Sequence, residues 1–144
     1  MLLVDSESPV TATSPWEHLK NREDDRWEKP PTATDEQCHL MVQCMEAWFI
    51  ADKDTLGTYY GSSFQKDKLP QRTNIADVPK NEILACMKKA TENCSSKGSY
   101  SKGKHSFKLL GLIDPSQIRA KCEWAERFFS KLTDCMQQVK VNKG

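Results

Sequence analysis

Leu2-Leu3-Val4 is apolar at every position and stops abruptly at Asp5-Ser6-Glu7-Ser8-Pro9. A strand with no polar side belongs inside a parallel sheet whose faces are covered by helices. His39-Leu40-Met41-Val42-Gln43-Cys44-Met45 reads as a second buried strand, and Glu46-Ala47-Trp48-Phe49 then begins a helix. The expected fold class is α/β, a parallel sheet of few short strands followed by a helical C-terminal half. Residues 8–36 form the connection, rich in Thr, Pro and charge, with one helical turn expected around Trp16 to Arg22. Trp16 and Trp27 are its only large apolar anchors. A loop of this length inside a domain points to function.

Beyond the second strand, apolar positions at helical spacing run from Glu46 through Leu56 and Tyr59, and Gly61 is the expected stop. Gly61 to Pro79 is irregular. Pro79 opens a helix carrying Ile83, Leu84, Met87 and Ala90, Ser95 to Gly103 is a Ser/Gly/Lys loop, and a further helix spans about 104–113, ending at Asp114-Pro115. The last helix carries Ile118, Cys122, Ala125, Phe129, Leu132, Met136 and Val139, a stripe that suits a core or a seam for a partner helix. Residues 80–140 are thus mainly helical, and 144 residues without an internal repeat make one domain. No segment approaches the roughly 20 apolar residues of a membrane span. Met1-Leu2-Leu3-Val4 is too short for a secretory signal, so a cytoplasmic protein is expected. The six cysteines lack zinc spacing and a secretory context, and read as reduced thiols.

The formal charge of +1 conceals sorting along the chain. Residues 1–36 hold nine acids against four bases, whereas residues 80–108 hold seven lysines against Glu82 and Glu92. The lysine-rich segment suits phosphates, and equally a solvated helix and loop. Asp5 and Glu7 follow the first strand and Glu46 the second, so parallel strands would bring all three carboxylates to one sheet edge, where ligands of open α/β sheets bind. Such oxygens suit Mg²⁺ or Mn²⁺, cations that serve phosphodiester cleavage. The same residues also fit a turn and a helix start. Lys102, Lys104 and His105 lie where a Gly-containing loop enters a helix, a place to hold phosphate, with His105 a candidate proton donor to a leaving oxygen. His39 reads as a satisfied core residue, and His18 has no evident partner.

Four blocks carry a resemblance: Leu2-Leu3-Val4-Asp5-Ser6-Glu7, Pro15-Trp16-Glu17-His18-Leu19, the run from His39 to Phe49, and Tyr100-Ser101-Lys102-Gly103-Lys104-His105-Ser106-Phe107. Together they resemble, as far as about Leu132, an uncharacterised bacterial family of TOPRIM-related proteins, domain of unknown function 4276. That family is similar to the RloB-like and overcoming-lysogenisation-defect nucleases, which often sit beside an AAA-type ATPase and are linked to phage defence. The resemblance implies a metal-dependent nuclease-like domain with Asp5, Glu7 and Glu46 as metal ligands and catalytic groups alongside His105. Lys102 and Lys104 would be substrate contacts, and the implied partners are nucleic acid and an AAA-type ATPase. The acidic pair reads Asp-x-Glu instead of Asp-x-Asp, and the Glu-bearing strand of a TOPRIM site would precede Met1. Residues 1–144 are therefore expected to be a TOPRIM-like domain lacking its N-terminal strand and helix, weak in metal binding and in cleavage by itself. A non-catalytic module docking on an ATPase through its C-terminal helices is the alternative.

Overall fold

The computed structural model describes residues 1–141. Strand β1 (Leu2–Asp5) pairs in parallel with β2 (Cys38–Met41), Leu2 opposite Cys38 and Asp5 opposite Met41, and these form a two-stranded sheet. Side chains alternate across it as a period of two requires. Leu2, Val4, Cys38 and Leu40 pack with Trp16 and Leu19 of α1 (Pro15–Lys20) on one face. Leu3 and Met41 pack on the opposite face against the main core, where the His39 ring meets Phe128 edge-on at 5.4 Å. β1 departs from the expectation of a fully buried strand. Its four residues are half-buried and, among the described residues, it is hydrogen-bonded to a strand on one side alone, whereas Cys38, His39 and Leu40 are buried.

α-Helices build the rest, three of them with side-chain caps. Ser14 caps α1, its hydroxyl accepting from the Glu17 N–H, with Pro15 preset for the first turn. The second strand ends at Met41, four residues short of the expected Met45, because the chain turns at Gln43, whose φ is 66°. The expected single helix from Glu46 to Gly61 is two, α2 (Glu46–Ala51) and α3 (Lys53–Tyr60). Asp52 breaks it at φ −115° and ψ 72°, accepting from Thr55 N–H at 3.2 Å and from Asp114 N–H at 2.9 Å. Burial would push the Asp52 carboxyl up, but these two amides and Lys121 hold it below its ordinary value. Gly61, at φ 84°, ends α3 as the sequence indicates, in a conformation glycine adopts without a Cβ penalty.

Helix α4 (Lys80–Thr91) follows Pro79, and α5 (Lys102–Leu110) starts two residues earlier and stops sooner than periodicity suggests. Asp114-Pro115 terminates α5's exit and also caps a new helix, α6 (Pro115–Arg119), Asp114 accepting from Ser116 N–H at 2.8 Å. The expected last helix is therefore interrupted at 120–122 before α7 (Glu123–Val141). Its stripe splits accordingly. Ile118, Cys122 and Ala125 are buried, Phe129 and Leu132 half-buried, and Met136 and Val139 exposed by 57% and 54%. Phe49, Leu56, Ile83, Met87 and Leu109 fill the core between these helices. All six cysteines are free. Burial pushes the Cys38 thiol up to about 11 and Cys44 to about 12, which keeps both protonated and unreactive at neutral pH. No helix of the described residues is long and apolar enough to cross a membrane.

Candidate functional site

The chain leaves both strands at the same edge of the sheet by interlocked turns. Ser6 N–H donates to Met41 O and Glu7 N–H to Gln43 O, each at 3.0 Å, while Gln43 N–H donates to Ser6 Oγ at 2.7 Å. Glu7 and Gln43 both have φ 66°. The left-handed region costs a non-glycine residue about 1–2 kcal/mol, so two such residues side by side persist because their surroundings hold them there. Gln43 supplies part of that hold, accepting from Lys80 N–H at 3.0 Å and donating to Ala76 O at 3.2 Å. His18 supplies more. It is buried, and Nε2–H donates to Ser6 O at 2.8 Å, a partner the sequence did not reveal.

Asp5 is the last residue of β1 and Glu46 the first of α2, so this edge receives two carboxylates from segments 41 positions apart. One ammonium serves both: Lys102 Nζ lies 3.7 Å from Asp5 Oδ2 and 4.0 Å from Glu46 Oε1. Glu46 has no solvent exposure, and Tyr100 O–H donates to its Oε1 at 2.7 Å. Burial and the neighbouring Glu46 push the Tyr100 phenol far above its usual range, so it stays a donor. Two further carboxylate oxygens, Asp5 Oδ1 and Glu46 Oε2, are buried with no hydrogen-bond partner. Burial holds the Asp5 carboxyl above its ordinary value; Lys102 and the Met45 backbone amide oppose the shift, and Glu7 and Glu46 add to it. Orphaned buried anionic oxygens cost several kcal/mol each unless a cation meets them. As hard donors they suit Mg²⁺ or Mn²⁺.

The remaining expected site residues are divided. Glu7 lines the same cleft, but its carboxylate is ion-paired with Lys80. Among the described residues no three or more His, Cys, Asp and Glu side chains converge as a group that could hold a metal ion. Lys104 does not reach them and donates to Lys97 O at 3.2 Å. His105 is buried, with Nδ1 accepting from Ser101 N–H at 3.0 Å and Nε2–H donating to Lys97 O at 3.1 Å. Both ring nitrogens are therefore committed to the 97–101 loop, and the ring meets Tyr59 and Tyr60 edge-on and lies tilted against Tyr100. His105 positions the loop that presents Tyr100 and Lys102. His39, expected to be satisfied in the core, is buried with Nε2 unpartnered. The lysine-rich segment does not form one face toward the carboxylates. Lys80 and Lys102 reach them, Lys97 lies over the Tyr59 ring at 5.1 Å, and Lys88 and Lys89 are exposed on α4.

A cleft of about 340 Å³ opens beside Asp5, Glu7 and Lys102. Val4, Met41 and Met45 give it apolar walls, and the long loop adds Arg22 and Trp27. Arg22 fastens that loop to the sheet edge by donating to Asp5 O at 2.8 Å and to Asp25 Oδ1 at 2.7 Å. Neither Arg22 nor Tyr100 stands out in the sequence as a site residue. The available signal for Tyr100 was its place beside Ser101 and Lys102 in a single block.

A family model described as a domain of unknown function, DUF4276, matches residues 1–133, and the chain belongs to that family. No curated protein and no solved structure matches it.

Proposed function

We propose that the chain is a metal-dependent phosphodiester-cleaving domain of TOPRIM type, acting on nucleic acid. A cytoplasmic location and an AAA-type ATPase partner in phage defence belong to the same reading. The observation that carries it is the pair of buried oxygens, Asp5 Oδ1 and Glu46 Oε2, left without partners at the carboxyl edge of a parallel sheet. Asp5 and Glu46 would hold Mg²⁺ or Mn²⁺. The bound cation would supply charge neutralisation at a phosphoryl group and activation of water at neutral pH. Tyr100 fixes Glu46 through its 2.7 Å hydrogen bond. The Lys102 side chain is 57% exposed and would turn from the carboxylates to a phosphate oxygen, where its charge offsets that developing in the transition state. His105 keeps the loop bearing Tyr100 and Lys102 in place.

A non-catalytic module docking through its C-terminal helices is the second reading, favoured by Met136 and Val139, exposed on α7. Incubation of the purified chain with a single-stranded oligonucleotide and Mn²⁺ separates the two. The first reading expects turnover, however slow, that EDTA and Asp5→Ala both abolish. An intact strand after prolonged incubation with Mn²⁺ assigns the chain to the second reading.

A further inference from the structure

Phosphate and metal chemistry account for the carboxylates and the ammonium of the cleft, but not for the aromatic and apolar half of its lining. Trp27 is partly exposed on a loop otherwise crowded with charge, packs against the cluster of Trp16, Leu19, Cys38 and Leu40, and is fixed by three further contacts. Its N–H donates to Leu19 O at 3.1 Å, its Nε1–H donates to Asp25 Oδ2 at 2.7 Å, and the Arg22 guanidinium covers it at 5.3 Å from a ring centroid. Arg22 is in turn bonded to Asp25 and to the backbone at Asp5, so the indole is tied directly to the strand end that carries the carboxylate. An indole immobilised in this way, with one face under Arg22, lines one cleft with Met41, Met45, Asp5 and Lys102 and sets an apolar surface beside a charged one. A bare phosphate needs only the charged part. A base joined to a phosphate needs both.

Resting on the proposed action on nucleic acid, we infer that Trp27 is a stacking platform for one unpaired nucleobase, and that the cleft takes a single-stranded segment whose adjoining phosphate meets Lys102. Stacking on an aromatic ring needs a free base face, which a continuous duplex withholds, so single strands are selected over double strands. Holding Trp27 rigid in advance lowers the ordering cost of binding. Its specificity is for an exposed base face and not for one base, since every base has such a face.

The experiment compares a twelve-residue oligothymidylate, an abasic strand of the same length and charge, and thymidine monophosphate, all at low salt with EDTA. The oligothymidylate should bind and quench tryptophan fluorescence, the abasic strand should bind more weakly, and the mononucleotide more weakly than either. Trp16 and Trp48 are buried and the half-buried Trp124 does not line the cleft, so the quench should be lost in Trp27→Phe while affinity is largely kept. Trp27→Ala should weaken oligothymidylate binding roughly fivefold to a hundredfold and leave the abasic strand unchanged. Equal binding of the two strands by the wild type would overturn the inference without any variant having to fold. Mononucleotide binding as tight as that of the oligonucleotide would overturn the single strand as ligand. Because EDTA is present, none of these results depends on a metal. Hydrolysis of bis(p-nitrophenyl) phosphate with Mn²⁺, a diester without a base, reports on the metal-dependent reading separately, so each can fail while the other stands.

Discussion

Glu46→Gln should give a protein that is more stable than the wild type in metal-free buffer and blind to divalent cations. Glu46 is wholly buried, accepts one hydrogen bond from Tyr100, and leaves Oε2 without a partner. The nearest cation is the Lys102 ammonium at 4.0 Å, and because that side chain is 57% exposed its compensation is discounted by solvent. Glutamine preserves shape and the acceptor for Tyr100 while removing the uncompensated charge. The expected gain is about 1–2 kcal/mol, equivalent to several degrees in Tm for a chain of this size. The wild type should recover more than this when a cation is added, since a ligand at a hundred times its Kd contributes about 2.7 kcal/mol. The variant should show no such increase. Thermal unfolding with and without Mn²⁺ makes the comparison. A Gln variant that unfolds earlier than the wild type and keeps its Mn²⁺ response would show Glu46 to be an ordinary buried structural group.

Lys102→Met should bind Mn²⁺ about tenfold more tightly than the wild type and single-stranded nucleic acid more weakly. The ammonium lies within 4.0 Å of both carboxylates, where a divalent cation would meet it as a like charge. At such separations two unit charges interact by about 4 kcal/mol at an effective dielectric of 20. Much of that is relieved because Lys102 can swing into solvent, and about 1.4 kcal/mol remaining corresponds to the tenfold change. Methionine keeps an apolar stem of similar length. Calorimetric titration of both proteins with Mn²⁺ measures the effect, and unchanged or weakened affinity would mean that Lys102 does not compete for the carboxylates.

The parallel arrangement of the strands was legible because Leu2-Leu3-Val4 has no polar side, as strands of a parallel sheet do. The end of β2 was not, since Val42, Cys44 and Met45 continue the apolar run on either side of Gln43 and the turn there depends on Ser6 and Glu7 from the other segment. The break at Asp52 was hidden for a similar reason. Helical periodicity runs through it, and the amide that secures it belongs to Asp114, 62 residues away. At the site, residue types pointed to Asp5, Glu46 and Lys102, whereas their gathering around one ammonium is a property of the packed chain. His105 illustrates the opposite case. A histidine at a helix start suits proton transfer or phosphate binding, but here Ser101 and Lys97 take both its ring nitrogens, a fact decided by the shape of the loop before it. Trp27 was conspicuous as an anchor in a polar loop, and only the bridge from Arg22 to the end of β1 gives it a place beside the carboxylates.

The central claim, that Asp5 and Glu46 form one cation site, is tested most directly by paramagnetic broadening of backbone amide resonances with substoichiometric Mn²⁺. The account predicts that Ser6, Met45 and Ala47, which adjoin the two carboxylates, lose intensity first. It predicts equally that Glu23, Asp24 and Asp25, a dense acidic run in the chain, lose intensity only after them, and that Glu46→Gln abolishes the selective loss. Broadening centred on residues 23–25, or spread evenly over the acidic surface with the sheet edge untouched, would contradict it.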